Sequence, residues 1–114
     1  MNLETKTSEV NPHVTIVDLK GRLDVHYSTE IEEGLNQLIN GGRIFILLNL
    51  KAVEYLSSSG LRIFIATMRK LKEKNGKLKL CNMSDAVKKI FRVVELIDMF
   101  EIYEDEQQAA QSFK

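Results

Sequence analysis

Ser57-Ser58-Ser59 places three hydroxyls in a row, directly before Gly60 and Leu61. A serine hydroxyl can cap a helix, act as a nucleophile or accept a phosphate. The nucleophile reading finds no frame, because Ser58 lacks the G-x-S-x-G context of a strained elbow. His13 follows Pro12 in a turn and His26 falls in the loop before the first helix, which leaves a hydrolase triad without support. The two histidines also lack i,i+4 spacing and a Cys or acidic partner set, so no zinc site is expected. A phosphate loop of the G-x-x-x-x-G-K-S/T type is absent. The lone Cys81 ends a short alternating strand and reads as a small packed residue. The sequence thus argues against an enzyme, and no cofactor or metal is expected.

The serines sit between two periodic segments. Ile44 to Leu50 is apolar except for Asn49, as a strand covered on both faces should be. After Gly60, Leu61, Phe64, Ile65, Met68 and Leu71 recur at helical spacing. The hydroxyls therefore stand at a helix start, where backbone N–H groups lack partners and the positive end of the dipole lies close by. One hydroxyl suffices to cap the helix, worth about 1 kcal/mol. Two are surplus, and a phosphate on one would meet a favourable anion environment.

On that helix, with Leu61 at 0° and about 100° per residue, the apolar stripe centres near 340° and Ile63 points to about 200°. Ile63 is thus expected on the outer face, as a partner contact or under a neighbouring element. Arg62 and Arg69 flank the same surface and can pair with acids on a partner. The helix should end near Asn75-Gly76.

The remaining elements alternate. Leu3 to Glu9 reads as a weak strand, Asn11-Pro12 as a turn, and Val14 to Lys20 as a second strand stopped at Gly21, giving a hairpin. Thr29-x-x-Glu32 has capping-box spacing before a helix that buries Ile31, Leu35 and Leu38 and stops at Gly41-Gly42. Leu78 to Cys81 is the fourth strand, and Ser84 caps a helix with Val87, Ile90 and Phe91 on its apolar face. Phe100 to Tyr103 is a last strand, followed by a terminal helix over Glu104 to Phe113. The pattern is α/β: a mixed sheet of four to five strands with an N-terminal hairpin and about four to five helices.

A chain of 114 residues reads as a single domain, 1–114, of ordinary soluble composition. No secretory h-region and no apolar run near ~18 residues occurs, so no membrane insertion is expected. A single cysteine fits a reducing, cytoplasmic setting. Net charge is zero, but residues 62–92 carry ten Lys or Arg against Glu73 and Asp85. Those cations are spread over two helices and a strand without interleaved aromatics, which points to solvated faces and not to direct DNA binding.

Asn49-Leu50, Val53, Tyr55-Leu56 and Ser57-Ser58-Ser59-Gly60-Leu61 together resemble the signature segment of STAS domains, specifically the bacterial anti-sigma factor antagonists. Gly21-Arg22-Leu23-Asp24 is similar to their G-x-L/I-D segment, and Asn75-Gly76-Lys77-Leu78 to the start of their fourth strand. Ser84, Val87, Lys88, Phe91 and Leu96 through Phe100 resemble their C-terminal tail. The resemblance implies a STAS fold and a partner switch. Unphosphorylated, such a protein binds an anti-sigma factor that is also a GHKL-type serine kinase; phosphorylated, it is released until a PPM-type phosphatase restores it.

Aligned on Gly60, the family's phosphate acceptor falls at Ser58, and Ser57 stands where the family has aspartate. The partner surface implied comprises Asp24, Tyr27, Ser57, Ser58, Ser59, Gly60, Arg62 and Ile63, with Asp24 and Tyr27 at the rim. The departure at Ser57 leaves two other readings open. One is a STAS subunit of a lipid-transporting ABC complex; the other is an antagonist no longer governed by phosphorylation.

Overall fold

Strand β3 (Phe45–Leu56) organises the molecule, since its apolar run can be satisfied only between two covering layers. The computed structural model describes residues 3–113. Around β3 lie β1 (Glu4–Thr7), β2 (Thr15–Leu23), α1 (Val25–Asn40), α2 (Ser58–Glu73), β4 (Lys77–Cys81), α3 (Asp85–Val93), β5 (Glu101–Tyr103) and α4 (Glu106–Ser112). The five strands run in the order β1-β2-β3-β4-β5. β1 pairs antiparallel with β2 as a hairpin, and every other pairing is parallel. The mixed sheet with an N-terminal hairpin and four helices agrees with the α/β pattern read from the sequence and with the fold that the resemblance to STAS domains implied.

Alternation along β3 divides the core. Ile46, Leu48 and Leu50 join residues of α1, α2 and α3 in the larger cluster. Leu47 faces the other way, into a smaller cluster with Val14, Ile16, Cys81 and the Ala109, Ala110 and Phe113 of the C-terminal segment. Burial pushes the Cys81 thiol up to about 12, so at neutral pH it is a packed, protonated group. Lys79, 2 % exposed, is an exception to the solvated lysines. Its ammonium donates to the carbonyl of Ser112 at 3.1 Å and to its Oγ at 2.8 Å, and lies 3.4 Å from Glu101, which ties α4 to the sheet.

Three element boundaries differ most from expectation. β3 does not stop at Leu50 but runs on to Leu56, because β2 continues to pair with it beyond the last β4 partner at Asn49. β2 does not stop at Gly21 but continues to Leu23, because Gly21 takes φ +79° at a register shift and the strand resumes beyond it. The first helix does not begin at Thr29. It starts at Val25 behind an Asp24 cap, which leaves Thr29 inside the helix and Ile39 fully buried where Leu38 is half-buried. Asp24 follows the strand directly and satisfies the first turn, so the Thr29–Glu32 spacing is never used as a cap.

β2 and β3 outrun β4. The last β4 partner on β3 is Asn49, whereas β2 and β3 stay paired as far as Leu23 and Leu56. This two-stranded extension carries two helix starts side by side.

Candidate functional site

Leu23 and Leu56 are register partners, and each strand turns into a helix with a single intervening residue. That residue is Asp24 for α1 and Ser57 for α2, both in extended backbone conformation. Asp24 Oδ1 accepts from the Tyr27 N–H at 3.2 Å, and its carbonyl accepts from the Ser28 hydroxyl at 2.6 Å. Burial pushes the Tyr27 phenol above its ordinary pKa, as expected for a side chain packed half against the core.

Ser57 is bonded twice through its hydroxyl. Oγ accepts from the Gly60 N–H at 3.2 Å and donates to the Leu23 carbonyl at 2.8 Å. The Ser57 N–H donates to that same carbonyl at 3.0 Å. Ser57 therefore caps α2 and fastens it to the end of β2. A Cβ on Gly60 would lie 2.7 Å from Leu56 Cδ1 and 3.2 Å from the Leu23 carbonyl, so only glycine lets the first turn sit this close to both strands.

The two remaining serines are unused by the fold. Among the described residues neither the Ser58 nor the Ser59 hydroxyl makes a hydrogen bond. Ser59 is half-buried, whereas Ser58, the first residue of the helix, is exposed. The division of labour is clear: one serine caps, its neighbour faces solvent.

Ile63 corrects the expected helical phase. It is 7 % exposed and belongs to the larger core cluster. α1 packs against α2 and covers a side of it that the sequence left open. The buried set of α2 is Gly60, Leu61, Ile63, Phe64, Thr67 and Leu71, while Ile65 and Met68 are only half-buried. At about 100° per residue this set faces away from Ser58, and the outward stripe runs through Ser58, Arg62, Ile65 and Arg69. The apolar residue on the same face as Ser58 is Ile65.

This stripe forms one wall of an open groove of about 460 Å³, lined by Ser58, Leu61, Arg62, Ile65, Ala66, Arg69, Val94 and Leu96. Val94 and Leu96, from the turn after α3, supply the other wall. Arg62 and Arg69 are exposed, and among the described residues neither has an ion pair. The groove is thus an apolar floor edged by two free cations and headed by a free hydroxyl.

Of the residues expected to form a partner surface, Ser58 and Arg62 line this groove. Ser57 and Gly60 are spent on holding the helix, Asp24 caps the neighbouring one, and Ile63 lies inside. Sequence reasoning missed Ile65, Val94 and Leu96. It also missed the Arg22 guanidinium, which stacks 4.5 Å over the Tyr55 ring on the paired strand ends beside the two caps. The Arg22–Tyr55 pairing depends on a strand register shifted by one residue at Gly21, which no local pattern reveals.

Residues 5–109 match the STAS domain. The chain is 31 % identical to an anti-sigma-B factor antagonist of Staphylococcus aureus over 104 residues, 91 % of this chain and 94 % of that one. Among solved structures, an anti-sigma factor antagonist from Mycobacterium paratuberculosis superposes with a TM-score of 0.85 at 22 % identity, covering 97 % of this chain and 92 % of the other. The Bacillus cell fate determinant SpoIIAA superposes at 23 % identity in two states. Its unphosphorylated form gives a TM-score of 0.79 over 94 % and 91 % of the two chains. Its phosphorylated form gives 0.73 over 97 % and 100 %.

Proposed function

The chain belongs to the STAS domain family, among the anti-sigma factor antagonists, and on that premise we propose that it works as a partner switch governed by phosphorylation of Ser58. Unphosphorylated, it binds an anti-sigma factor that is a GHKL-type serine kinase, through the Ser58 groove. Phosphorylated, it lets go, and a PPM-type phosphatase returns it to the binding state. It acts by binding, from the cytoplasm, as one STAS domain. Among the described residues no helix is long and apolar enough to cross a membrane.

The observation that carries this reading is the separation of tasks between Ser57 and Ser58. Ser57 has its hydroxyl committed in both directions, so the helix start survives whatever happens to Ser58. Ser58 is exposed, unbonded and at the head of the groove. A phosphate there adds roughly −1.5 to −2 charges at a helix start, a position that tolerates them. Under a bound partner the same charge is desolvated and repelled. SpoIIAA, a structural neighbour, is known in phosphorylated and unphosphorylated forms, which supports a cycle of this kind.

Ser57 replaces the family's aspartate without loss to the cap, since its oxygen accepts the Gly60 N–H as a carboxylate would. It also does what an ionised carboxylate cannot, donating to the Leu23 carbonyl. The departure at this position is therefore a structural exchange, and it leaves the acceptor one residue later untouched. Incubation with the kinase-type anti-sigma factor of the same cell and ATP, followed by peptide mapping, tests the proposal. Phosphate is expected on Ser58. Phosphate on Ser57 or Ser59, or none from a kinase that binds the protein, overturns it.

A further inference from the structure

We infer that Arg62 is an internal receptor for the phosphate on Ser58, so that modification withdraws this arginine from the groove at the same moment as it adds negative charge. The inference rests on Ser58 as the modified residue. Three features of the helix carry it.

The first is spacing. Ser58 and Arg62 are one helical turn apart on the same outward stripe, and both line the groove. At i and i+4 their Cβ atoms are about 5–6 Å apart, and an acid placed N-terminal to a base is the favourable order for such a pair. A guanidinium can then grip two phosphate oxygens at once. Arg69, eleven residues from Ser58, is about 16 Å along the axis at 1.5 Å per residue and cannot reach.

The second is demand. The Gly60 and Leu61 N–H groups are not available to a phosphate, because Gly60 already donates to Ser57 Oγ and Leu61 to the Ser57 carbonyl. The cap is neutral, and no acidic residue stands in the first turn to compete for the arginine. The third is supply. Arg62 is exposed and has no ion pair among the described residues, so no existing contact must break.

The consequence for recognition is a change of sign. Among groove-lining residues the charges are those of Arg62 and Arg69 alone, which suits an acidic partner segment with apolar residues for Ile65, Val94 and Leu96. A phosphate of roughly −1.5 to −2 brings the groove from two positive charges to about zero and turns Arg62 inward along its own helix. The partner then meets a new anion and has lost one of its two cations.

The test uses phosphoserine installed at position 58 during translation and follows its phosphorus resonance against pH. The second pKa of a phosphoserine lies near 6, and an adjacent cation lowers it. Arg62→Gln is expected to raise that pKa by about 0.3 unit or more, while Arg62→Lys preserves most of the depression and Arg69→Gln leaves it unchanged. Equal titration of the parent and Arg62→Gln proteins overturns the inference, as does an equal effect from Arg69→Gln. Neither kinase nor anti-sigma factor enters this measurement. A null result removes Arg62 and leaves the switch standing, whereas a kinase that never modifies Ser58 removes the switch and leaves the titration readable.

Discussion

The starts of α1 and α2 are built alike and used differently. Each follows one of two neighbouring parallel strands, each has an extended cap, and each cap accepts from the N–H three residues on, of Tyr27 in one and Gly60 in the other. At α1 the cap is a carboxylate, which already answers the positive end of the dipole, and the nearby Ser28 hydroxyl is bonded to the Asp24 carbonyl. Its first helical residue is Val25, 66 % exposed and without polar chemistry. At α2 the cap is neutral, the first turn holds no acid, and the first helical residue is Ser58 with a free hydroxyl. A helix start becomes a candidate switch when its structural needs are met by one residue and a reactive neighbour is left over. In the proposed switch, the groove beside α2 is what that neighbour controls.

The largest expected effect tests where the outward face of α2 lies. Ile63→Asp places a charge among core side chains and is expected to lower stability by about 3 kcal/mol or more in a urea titration. Ile65→Asp, on the Ser58 face, should cost less than half as much. The reverse order would return Ile63 to the surface and dissolve the groove. Next comes the packing that separates the two starts. Gly60→Val is expected to cost about 1–3 kcal/mol, because its branched side chain meets Leu56 and the Leu23 carbonyl. A thermal melt showing no loss would mean that α2 is not pressed against the strand ends.

Smaller effects divide the serines. Ser57→Ala removes both the cap and a donor to Leu23 and should cost about 1–2 kcal/mol. Ser58→Ala should stay within ~0.5 kcal/mol, as for any exposed residue that touches nothing. Equal melting losses for the two would erase the distinction between cap and free hydroxyl.

Much of this was legible in the sequence because it is local. The apolar run of β3, the serine cluster at a helix start and the glycines that follow the two long helices are written in consecutive residues, and they gave the order of elements. Ser58 as the residue to watch came from the alignment on Gly60. What was not legible depends on distant parts of the chain. Ile63 is buried because α1 lies against α2, and a helical wheel cannot show which sides of a helix have neighbours. Asp24 outcompetes Thr29 as a cap because β2 runs on to Leu23, and that depends on a left-handed Gly21 and a register shift with β3. Val94 and Leu96 enter the groove only through the fold of the turn after α3.

The central claim is that the state of Ser58 governs binding without touching the fold. Its most direct test is a calorimetric titration of the anti-sigma factor from the same cell against the unmodified protein, Ser58→Ala and Ser58→Glu, with a melting curve for each. The first two are expected to bind alike. Ser58→Glu is expected to lose at least ~100-fold in affinity, the scale of an unpaired charge buried in an interface, while melting within a few degrees of the others. Undiminished binding by a folded Ser58→Glu protein would contradict the account.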